Sequence, residues 1–358
     1  MICKRAAYVN FRNISEQTLV FDEGINVIYG NNAQGKTSAL EGIYLCAQGR
    51  SHRSSKEKDF IKFGSNVAKI AIEYSSLKRD LSRLEIRYSD SGHKYCAKNG
   101  VPVGRMSEFI GNFRAIIFTP EHLSIVKDGP ANRRFFVDSA LSQISPVYVS
   151  NLQSYYKNLI QRNKLLQNYE NDRYTFDQTI ELWSENLAVL GEKISKERCE
   201  YIDKLEKVTG EIFGDMTSGK EKLTLRYKEP KSADDLRKLL SENIEKEKRY
   251  RTTLYGIQKD DIEIDINGVS AREFGSQGQQ RSAALAMKLG EGEISKETGG
   301  EYPVFLFDDI LSELDGSRRE YIMRGIGKKQ VIITTCERDV SIGKAKLFEC
   351  VNGEFRSY

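Results

Sequence analysis

A glycine-rich stretch near the N-terminus has the residues and the spacing of a phosphate-binding loop. In the pattern G-x-x-x-x-G-K-[ST], glycines let backbone N–H groups wrap a phosphate, the lysine reaches the β and γ oxygens, and the hydroxyl ligates Mg²⁺. The matching residues are Gly30, Asn31, Asn32, Ala33, Gln34, Gly35, Lys36 and Thr37. An ordinary glycine-rich turn is the alternative. However, residues 24–29 have the pattern of a buried strand and residues 38–45 that of a helix, an order that predicts a nucleoside triphosphate site.

Two adjacent carboxylates, Asp308 and Asp309, complete a predicted magnesium site. They follow the apolar run at 303–307, which is typical of a buried parallel strand. Carboxylates at the C-terminal end of such a strand lie at the ligand-binding edge of an open α/β sheet, so we expect Asp308 to reach Mg²⁺ beside Thr37. The alternative is that the two side chains only cap the helix that follows.

A second glycine-rich segment leads directly into an alanine-rich sequence of high helix propensity at 282–289. The free N–H groups and the dipole at the start of this helix could bind an anion. The residues at this position are Ser276, Gln277, Gly278 and Gln279. A capped helix start without a ligand is the alternative.

Composition and charge favour a cytoplasmic globular protein but do not show whether it binds nucleic acid. The 358 residues are 39% hydrophobic and 30% charged, which is enough for two or three domains with buried cores. Neither a membrane-spanning apolar run nor a signal peptide is recognisable, and the six cysteines and three histidines lack metal-ligand spacing. Because the net charge is only +4, nucleic-acid binding would require a local basic patch.

The N-terminal third reads as β-structure around the phosphate loop. Residues 2–13 and 18–29 are predicted to be two strands joined by a polar connection at 13–17. After the first helix, residues 67–118 alternate polar and apolar side chains and contain Gly and Asn turns, as a β-meander does. We therefore expect an antiparallel sheet beside the nucleotide-binding fold.

A helical insert follows at 132–217, where apolar residues recur every three or four positions. Helices packing on each other account for these stripes, and a groove for a partner is the alternative. Sustained heptads are absent from the sequence, which excludes a long coiled coil. Strand-like residues at 222–227 and 262–266 flank a charged helix at 234–251, and a last buried strand is expected at 330–335.

The chain resembles the ABC-type ATPases in the order of its motifs, which is the phosphate loop, the second glycine-rich segment and the strand that ends in two aspartates. The signature L-S-G-G-Q of those ATPases corresponds to residues 275–279. Further strings make the chain similar over almost its full length to the RecF family of bacterial recombination mediators. These are Asn10-Phe11-Arg12-Asn13, Phe118-Thr119-Pro120-Glu121-His122-Leu123, Gly129-Pro130 with Arg133-Arg134, Ser276-Gln277-Gly278-Gln279-Gln280-Arg281 and Ser312-Glu313-Leu314-Asp315.

The resemblance implies an α/β fold, a P-loop ABC-type ATPase head with a mixed sheet, a flanking antiparallel β-meander and an inserted helical lid domain without a long coiled coil. The expected domains are an N-terminal ATPase part at 1–118, a lid at 119–267, and a C-terminal ATPase part at 268–358 with the signature helix and the magnesium-ligand strand.

By the same resemblance, the protein is an ATP-dependent switch. Two heads dimerise face to face, and each ATP is held by Lys36 and Thr37 of one subunit and by Ser276 and Gly278 of the other. The family implies a dimer that clamps DNA at single-strand to double-strand junctions in gaps, cooperates with RecR and RecO, and helps to load RecA.

The chain departs from the wider ABC pattern at two positions and from the pattern of the RecF family at a third. The carboxylate after the magnesium ligand is Asp309 instead of Glu, so the attacking water is held by a shorter arm and hydrolysis should be slow. Thr335 stands near the place where transporters have a histidine and is the expected contact to the γ-phosphate or water. His122 occupies a position where the family often has Asp.

A basic segment after the first helix is the candidate DNA contact. Its cations are Arg50, Arg53, Lys56 and Lys58. Phosphate contacts of this kind would give DNA binding a steep salt dependence, whereas a solvated loop is the plain alternative.

Four other classes of protein are compatible with parts of the pattern. An ABC transporter subunit would not need the helical insert, and a Rad50 or SMC protein would need hundreds of heptad residues. A nuclease of the OLD type would need a second catalytic domain. A DNA-binding module with a degenerate nucleotide site would not need Lys36, Thr37 and Asp308 intact.

Overall fold

Three β-sheets and a group of long helices make up the computed structural model, which describes residues 1–54, 56–325, 329–337 and 344–358. The strands are β1 (Ile2–Phe11), β2 (Ile14–Val20), β3 (Ile25–Tyr29), β4 (Val67–Ser76), β5 (Arg79–Ser89), β6 (Lys94–Lys98), β7 (Val101–Pro102), β8 (Ala115–Phe118), β9 (Leu223–Tyr227), β10 (Ile262–Ile266), β11 (Val269–Ser270), β12 (Val304–Asp308), β13 (Val331–Thr335), β14 (Ala345–Val351) and β15 (Glu354–Ser357). The helices are α1 (Lys36–Gln48), α2 (Met106–Phe109), α3 (Pro130–Ile144), α4 (Pro146–Asn168), α5 (Arg173–Met216), α6 (Ala233–Glu242), α7 (Ile244–Tyr250), α8 (Ala271–Phe274), α9 (Gln277–Gly299) and α10 (Gly316–Gly325).

The phosphate loop belongs to a mixed sheet with the strand order β15-β14-β3-β13-β12-β8. Strands β14, β3, β13, β12 and β8 run parallel, and β15 is an antiparallel edge. Because parallel strands end at one edge, the loop after β3 lies beside Asp308 at the end of β12 and Thr335 at the end of β13. The predicted α/β class is confirmed.

The second sheet is antiparallel, with the order β2-β1-β4-β5-β6-β7, and it confirms the predicted meander from β4 to β7. Two details of the prediction were wrong. Residues 18–29 are not one strand, because β2 begins at the buried Ile14, straight after a turn, and β3 crosses to the mixed sheet. Residues 115–118 form β8 of the mixed sheet, where an apolar strand can be buried on both faces.

Helix α1 lies between these two sheets. It contacts β1, β4 and β5 on one side and β8, β12 and β13 on the other. Almost every residue of α1 is therefore buried, including Lys36 at its start and Glu41 in its middle. The layer arrangement fixes the loop at the N-terminus of α1 against the ends of the mixed-sheet strands.

The predicted helical insert is present as α3, α4 and α5. Helix α5 has 44 residues, so it is about 66 Å long at ~1.5 Å per residue. It packs along α4, and the apolar stripes bury Leu152, Tyr155 and Leu159 of α4 against Leu187 and Ile194 of α5. Within the described part of the chain, no helix combines the length and the apolar composition needed to cross a membrane.

The insert also contains a small sheet, β11-β10-β9, and the helices α6 and α7. The single charged helix expected at 234–251 is thus two helices, which meet at Asn243. The expected domain boundary at 267 falls in the turn of the β10–β11 hairpin. Helix α9 packs on α5, and its residues Ala283 and Met287 belong to the core of the insert. The signature helix therefore joins the insert to the ATPase sheets.

Candidate nucleotide site

The phosphate loop joins β3 to α1 in a conformation that requires its glycines. Gly35, the N-cap of α1, has a φ of 118°, and Gly30 has a φ of 152°. A Cβ atom on Gly30 would lie 2.3 Å from the carbonyl oxygen of Cys350, so a side chain cannot fit there. Ala33 is also held at a positive φ of 62°, which costs energy in a residue other than glycine. The surrounding structure thus imposes the shape of the loop.

Asn13 and the hairpin of β14 and β15 hold the loop from outside. The Gln34 carbonyl accepts hydrogen bonds from Asn13 Nδ2 at 2.9 Å and from the Gly353 N–H at 2.7 Å. The Gln34 side-chain oxygen accepts one from the Asn352 N–H at 2.5 Å. The sequence analysis missed this hairpin, although its Asn-Gly turn between apolar residues was a usable signal.

Lys36 has its ammonium group at the mouth of the loop. The side chain is only 6% exposed, and Nζ donates to the carbonyl oxygens of Gly30 at 2.7 Å and Asn31 at 2.9 Å. Nζ also lies 3.7 Å from Cys336 Sγ. A buried ammonium group with no anionic oxygen among these acceptors is suited to exchange them for phosphate oxygens, because charged acceptors give stronger bonds.

The structure brings Thr37 and Asp308 together, although they are 271 positions apart in the sequence. Thr37 Oγ1 donates to Asp308 Oδ1 at 2.9 Å, and Thr334 Oγ1 donates to the same oxygen at 2.6 Å. Burial raises the pKa of Asp308, and the Thr334 and Thr37 hydrogen bonds oppose this shift. One hydroxyl and one carboxylate oxygen fit Mg²⁺, which takes hard oxygen ligands and fills its other positions with phosphate and water.

Asp309 lines the nucleotide cavity, whereas Thr335 is not among its described lining residues. Asp309 borders the loop, with a left-handed φ of 51°, and its N–H donates to Thr334 Oγ1 at 3.1 Å. The Thr335 hydroxyl instead accepts from the Glu337 N–H at 3.1 Å, and among the described residues Thr335 does not line the nucleotide cavity. Successive strand residues face opposite sides, so it is Thr334 that lies beside Asp308. The expected contact of Thr335 with the γ-phosphate or water stays a prediction.

A cavity of about 500 Å³ opens in front of the loop, and two arginines border it. Arg12 donates to both oxygens of Glu41, at 2.7 and 3.0 Å, and Arg53 lies 3.6 Å from the same fully buried carboxylate. The lining residues are Arg12, Asn13, Asn32, Ala33, Gln34, Gly35, Lys36, Thr37, Ser38, Arg53, Asp59, Ile61, Asp308 and Asp309. Sequence reasoning missed Arg12, Asn13 and Glu41 because only folding brings them to the loop.

The four basic residues predicted to contact DNA do not form one patch. Arg53 lines the nucleotide cavity, whereas Lys56 and Lys58 are exposed beside the 3-10 turn at 57–60. Arg50 points toward the insert, where its guanidinium lies 4.5 Å from the Phe135 ring and donates to Ser139 Oγ at 3.1 Å. Arg53 therefore lies at the nucleotide cavity, whereas Arg50 lies at the separate surface of the insert.

The signature segment starts α9 away from the cavity. Ser276 caps the helix by accepting from the Gln279 N–H at 3.2 Å, and the Gln279 side chain returns a bond to the Ser276 N–H. The Gly278 carbonyl accepts from Arg318 at 3.1 Å. Ser276 and Gln277 are exposed, and none of residues 276–279 is among the described residues that line the cavity.

Two histidines lie in a small cavity of about 270 Å³ behind the nucleotide site. The rings of His52 and His122 are 6.3 Å apart, and Tyr44 packs edge-on against His52. His122 Nδ1 accepts from the Thr119 N–H at 3.1 Å, so this residue caps the turn that leads into the insert. Both ring nitrogens of His52 are buried without a hydrogen-bond partner among the described residues. Burial lowers the pKa of His52 to about 4.

We expect His52 to make the protein less stable in weak acid. The pKa of His52 falls from 6.5 in the unfolded chain to about 4 in the folded one, so between these values only the unfolded state takes up the proton. Stability is therefore lost as the pH falls below 6.5, by up to about 3 kcal/mol for this one group. Urea unfolding of the parent and of His52→Gln at about pH 7 and about pH 5 measures the difference. An equal loss of stability in both proteins would contradict the assignment.

Comparisons with known proteins show the family and the fold of this chain. The AAA domain family matches residues 8–270. A DNA replication and repair protein RecF from Agathobacter rectalis is 38% identical over 361 residues, which cover 99% of this chain and 98% of the relative.

A solved structure of the recombination mediator protein RecF-ATP in the RecFOR pathway has a TM-score of 0.92 at 35% identity, covering 99% of this chain and 97% of that one. An Smc head domain from Pyrococcus furiosus, at 16% identity and a TM-score of 0.58 over 99% of this chain and 95% of that one, shares the fold alone. The predicted ATPase-head fold is confirmed.

Proposed function

Because the chain belongs to the RecF family of DNA replication and repair proteins, we propose that it is an ATP-driven homodimer that closes on gapped DNA. ATP binding joins two copies, the dimer holds DNA at single-strand to double-strand junctions, and slow hydrolysis releases it. Together with RecO and RecR, the closed dimer promotes the loading of RecA. The protein acts in the cytoplasm, where these substrates are.

One observation carries the proposal of a dimer. The phosphate loop and the Thr37–Asp308 pair border one cavity, whereas the exposed start of α9 is not among the described residues that line it in the same chain. Helix α9 has free N–H groups and a positive dipole end, which suit a γ-phosphate. A second copy would bring its own Ser276 to this cavity, so that ATP completes a site with two halves.

Residues of this chain have distinct tasks in that site. Lys36 exchanges its carbonyl partners for the β- and γ-phosphate oxygens, while Thr37 and Asp308 are the protein ligands of magnesium. A bound Mg²⁺ would supply positive charge that offsets the negative charge of the phosphates. Arg53 adds a positive charge at the cavity wall, which supports a contact to nucleotide for this residue and leaves Arg50, Lys56 and Lys58 as the DNA candidates.

Hydrolysis is proposed to be slow and secondary to binding. Asp309 is the base that orients the attacking water, and its side chain is one methylene shorter than the usual glutamate. The Thr334 hydroxyl accepts from the N–H of Asp309 and donates to the carboxylate of Asp308, so it holds the two acidic residues in a fixed relative position. Loss of the γ-phosphate then removes the charge that holds the second copy, so the dimer opens.

Light scattering tests this function directly. The molar mass is expected to double when ATP and Mg²⁺ are added, to remain that of a monomer with ADP, and to rise further when a gapped duplex is added to the ATP form. A chain that stays monomeric in ATP and binds gapped DNA equally well without nucleotide would contradict the proposal.

A further inference from the structure

The outer face of helix α4 forms, together with Arg50, a groove that no step of the nucleotide cycle uses. We propose that this α4 groove binds single-stranded DNA, with phosphates on its cations and a base on Tyr156. The inference rests on the proposed function and assigns the single-stranded arm of the junction to a surface of the insert.

The groove has a volume of about 470 Å³ and lies where the loop after α1 meets the insert. Arg50 forms one wall, held by its contacts to Phe135 and Ser139, and α4 forms the other. The lining residues are Arg50, Leu152, Gln153, Tyr156, Lys157, Ile160 and Gln161. Two cations and two amides line it, and no carboxylate does among the described residues.

The whole of α4 has the same bias of charge. Its 23 residues contain no Asp or Glu, whereas a segment of this length would carry about three at the chain's average of 51 acidic residues in 358. Lys157 and Lys164 are exposed, and within the described part of the chain no ion pair involves them. Arg162 faces the opposite way, into a buried ion pair with Glu247 at 2.7 Å. The outer face therefore has unneutralised positive charge, which polyanions recognise.

Spacing along the helix suits a strand of nucleic acid. Gln153, Lys157, Ile160 and Lys164 are three or four positions apart, so they form one stripe. From the first to the last, the stripe is about 16 Å long at ~1.5 Å per residue, so its side chains can follow several successive phosphates of one strand.

Exposed apolar surface in the middle of the stripe favours unpaired bases. Tyr156 is 36% exposed and Ile160 is 55% exposed, beside cations and not in a protein core. Proteins that bind single strands combine a basic groove with aromatic rings on which bases stack. An acidic protein segment would use the cations but would have no partner for the ring, so DNA is the better occupant.

The charge is tested by replacing three cations at once. Arg50→Gln, Lys157→Gln and Lys164→Gln, combined, should lower the slope of log affinity against log salt for oligothymidylate by about 2, at ~0.7 per phosphate contact on a single strand. All measurements are made with ATP present. The matched control replaces Lys193, Lys196 and Lys204 by Gln on α5, where exposed lysines alternate with Glu192, Glu200 and Asp203 and should leave the slope unchanged.

The ring is tested separately. Tyr156→Ser should weaken oligothymidylate binding by about five- to a hundredfold, the range for one stacked base, without changing the salt slope, and Tyr156→Phe should bind as the parent does. Unfolding of each variant is followed to show that it is folded.

The possible outcomes distinguish a failure of the groove proposal from a failure of the proposed function. If the parent binds oligothymidylate and the triple variant keeps its salt slope, the groove proposal is wrong and the proposed function stands. If polyglutamate competes as strongly as oligothymidylate, the occupant is an acidic protein segment and the proposal is also overturned. A parent that binds no DNA in ATP refutes both.

Discussion

Replacement of Lys36 by methionine is expected to weaken ATP binding strongly and to abolish the ATP-dependent dimer. Methionine fills a similar volume at this buried position, so the loop keeps its shape but loses the ammonium group. Two charged hydrogen bonds to phosphate oxygens are lost, which should lower ATP affinity at least a hundredfold, or by about 3 kcal/mol. Calorimetric titration with ATP measures the affinity, and light scattering measures the mass.

A lysine far from the site provides the control. Lys238 on α6 is 73% exposed, and its ion pair with Glu242 spans 4.0 Å, so Lys238→Met should bind ATP and dimerise as the parent does. Thermal unfolding without nucleotide shows whether Lys36→Met is folded. ATP-dependent dimers of the folded Lys36→Met protein would refute the role of this lysine.

Replacement of Ser276 by arginine is expected to block the dimer while each chain still binds ATP. Ser276 is exposed at the start of α9 and outside the nucleotide cavity, so its loss does not touch the ATP held in the same chain. The arginine places bulk and positive charge where the γ-phosphate of the other copy would dock. The expected result is normal ATP affinity in calorimetry with a monomeric mass in light scattering.

Two comparisons make the Ser276 experiment decisive. Ser276→Ala removes the helix cap, which costs about 1 kcal/mol of stability, and the hydroxyl, but it adds no bulk and keeps the N–H groups and the dipole of α9, so it should still dimerise, with a weaker response to ATP. A mixture of Lys36→Met and Ser276→Arg chains should form a dimer with one intact composite site, because one chain keeps its loop and the other keeps its signature. Dimers of Ser276→Arg alone would contradict the proposed role of the signature in the second copy.

Short sequence patterns predicted those site residues that lie in a single loop or at the end of a single strand. The eight-residue phosphate loop has a spacing with a direct chemical reason, and an apolar strand that ends in two aspartates places Asp308 at a known edge of the sheet. Neither inference needs the register of distant strands. That is why Thr37 and Asp308 could be paired across 271 positions.

Residues positioned by distant contacts could not be predicted in this way. Whether Thr334 or Thr335 lies on the same side of the sheet as Asp308 depends on the register of β13 against β12, and a shift by one residue reverses it. Arg53 faces the cavity because the buried Glu41 lies beside it, and nothing near Arg53 in the sequence shows this. The break between β2 and β3 was missed for a similar reason, since their apolar residues serve two different sheets.

The hairpin of β14 and β15 also sets when the nucleotide site can form during synthesis. Gln34 is made early, but Asn352, which binds its side chain, is added 318 positions later. At ~5–20 residues per second, the ribosome needs roughly 15 to 60 seconds to cover that distance. For most of this time β3 lacks both of its neighbours, β13 and β14, so ATP binding can stabilise the fold only after these two strands have left the ribosome.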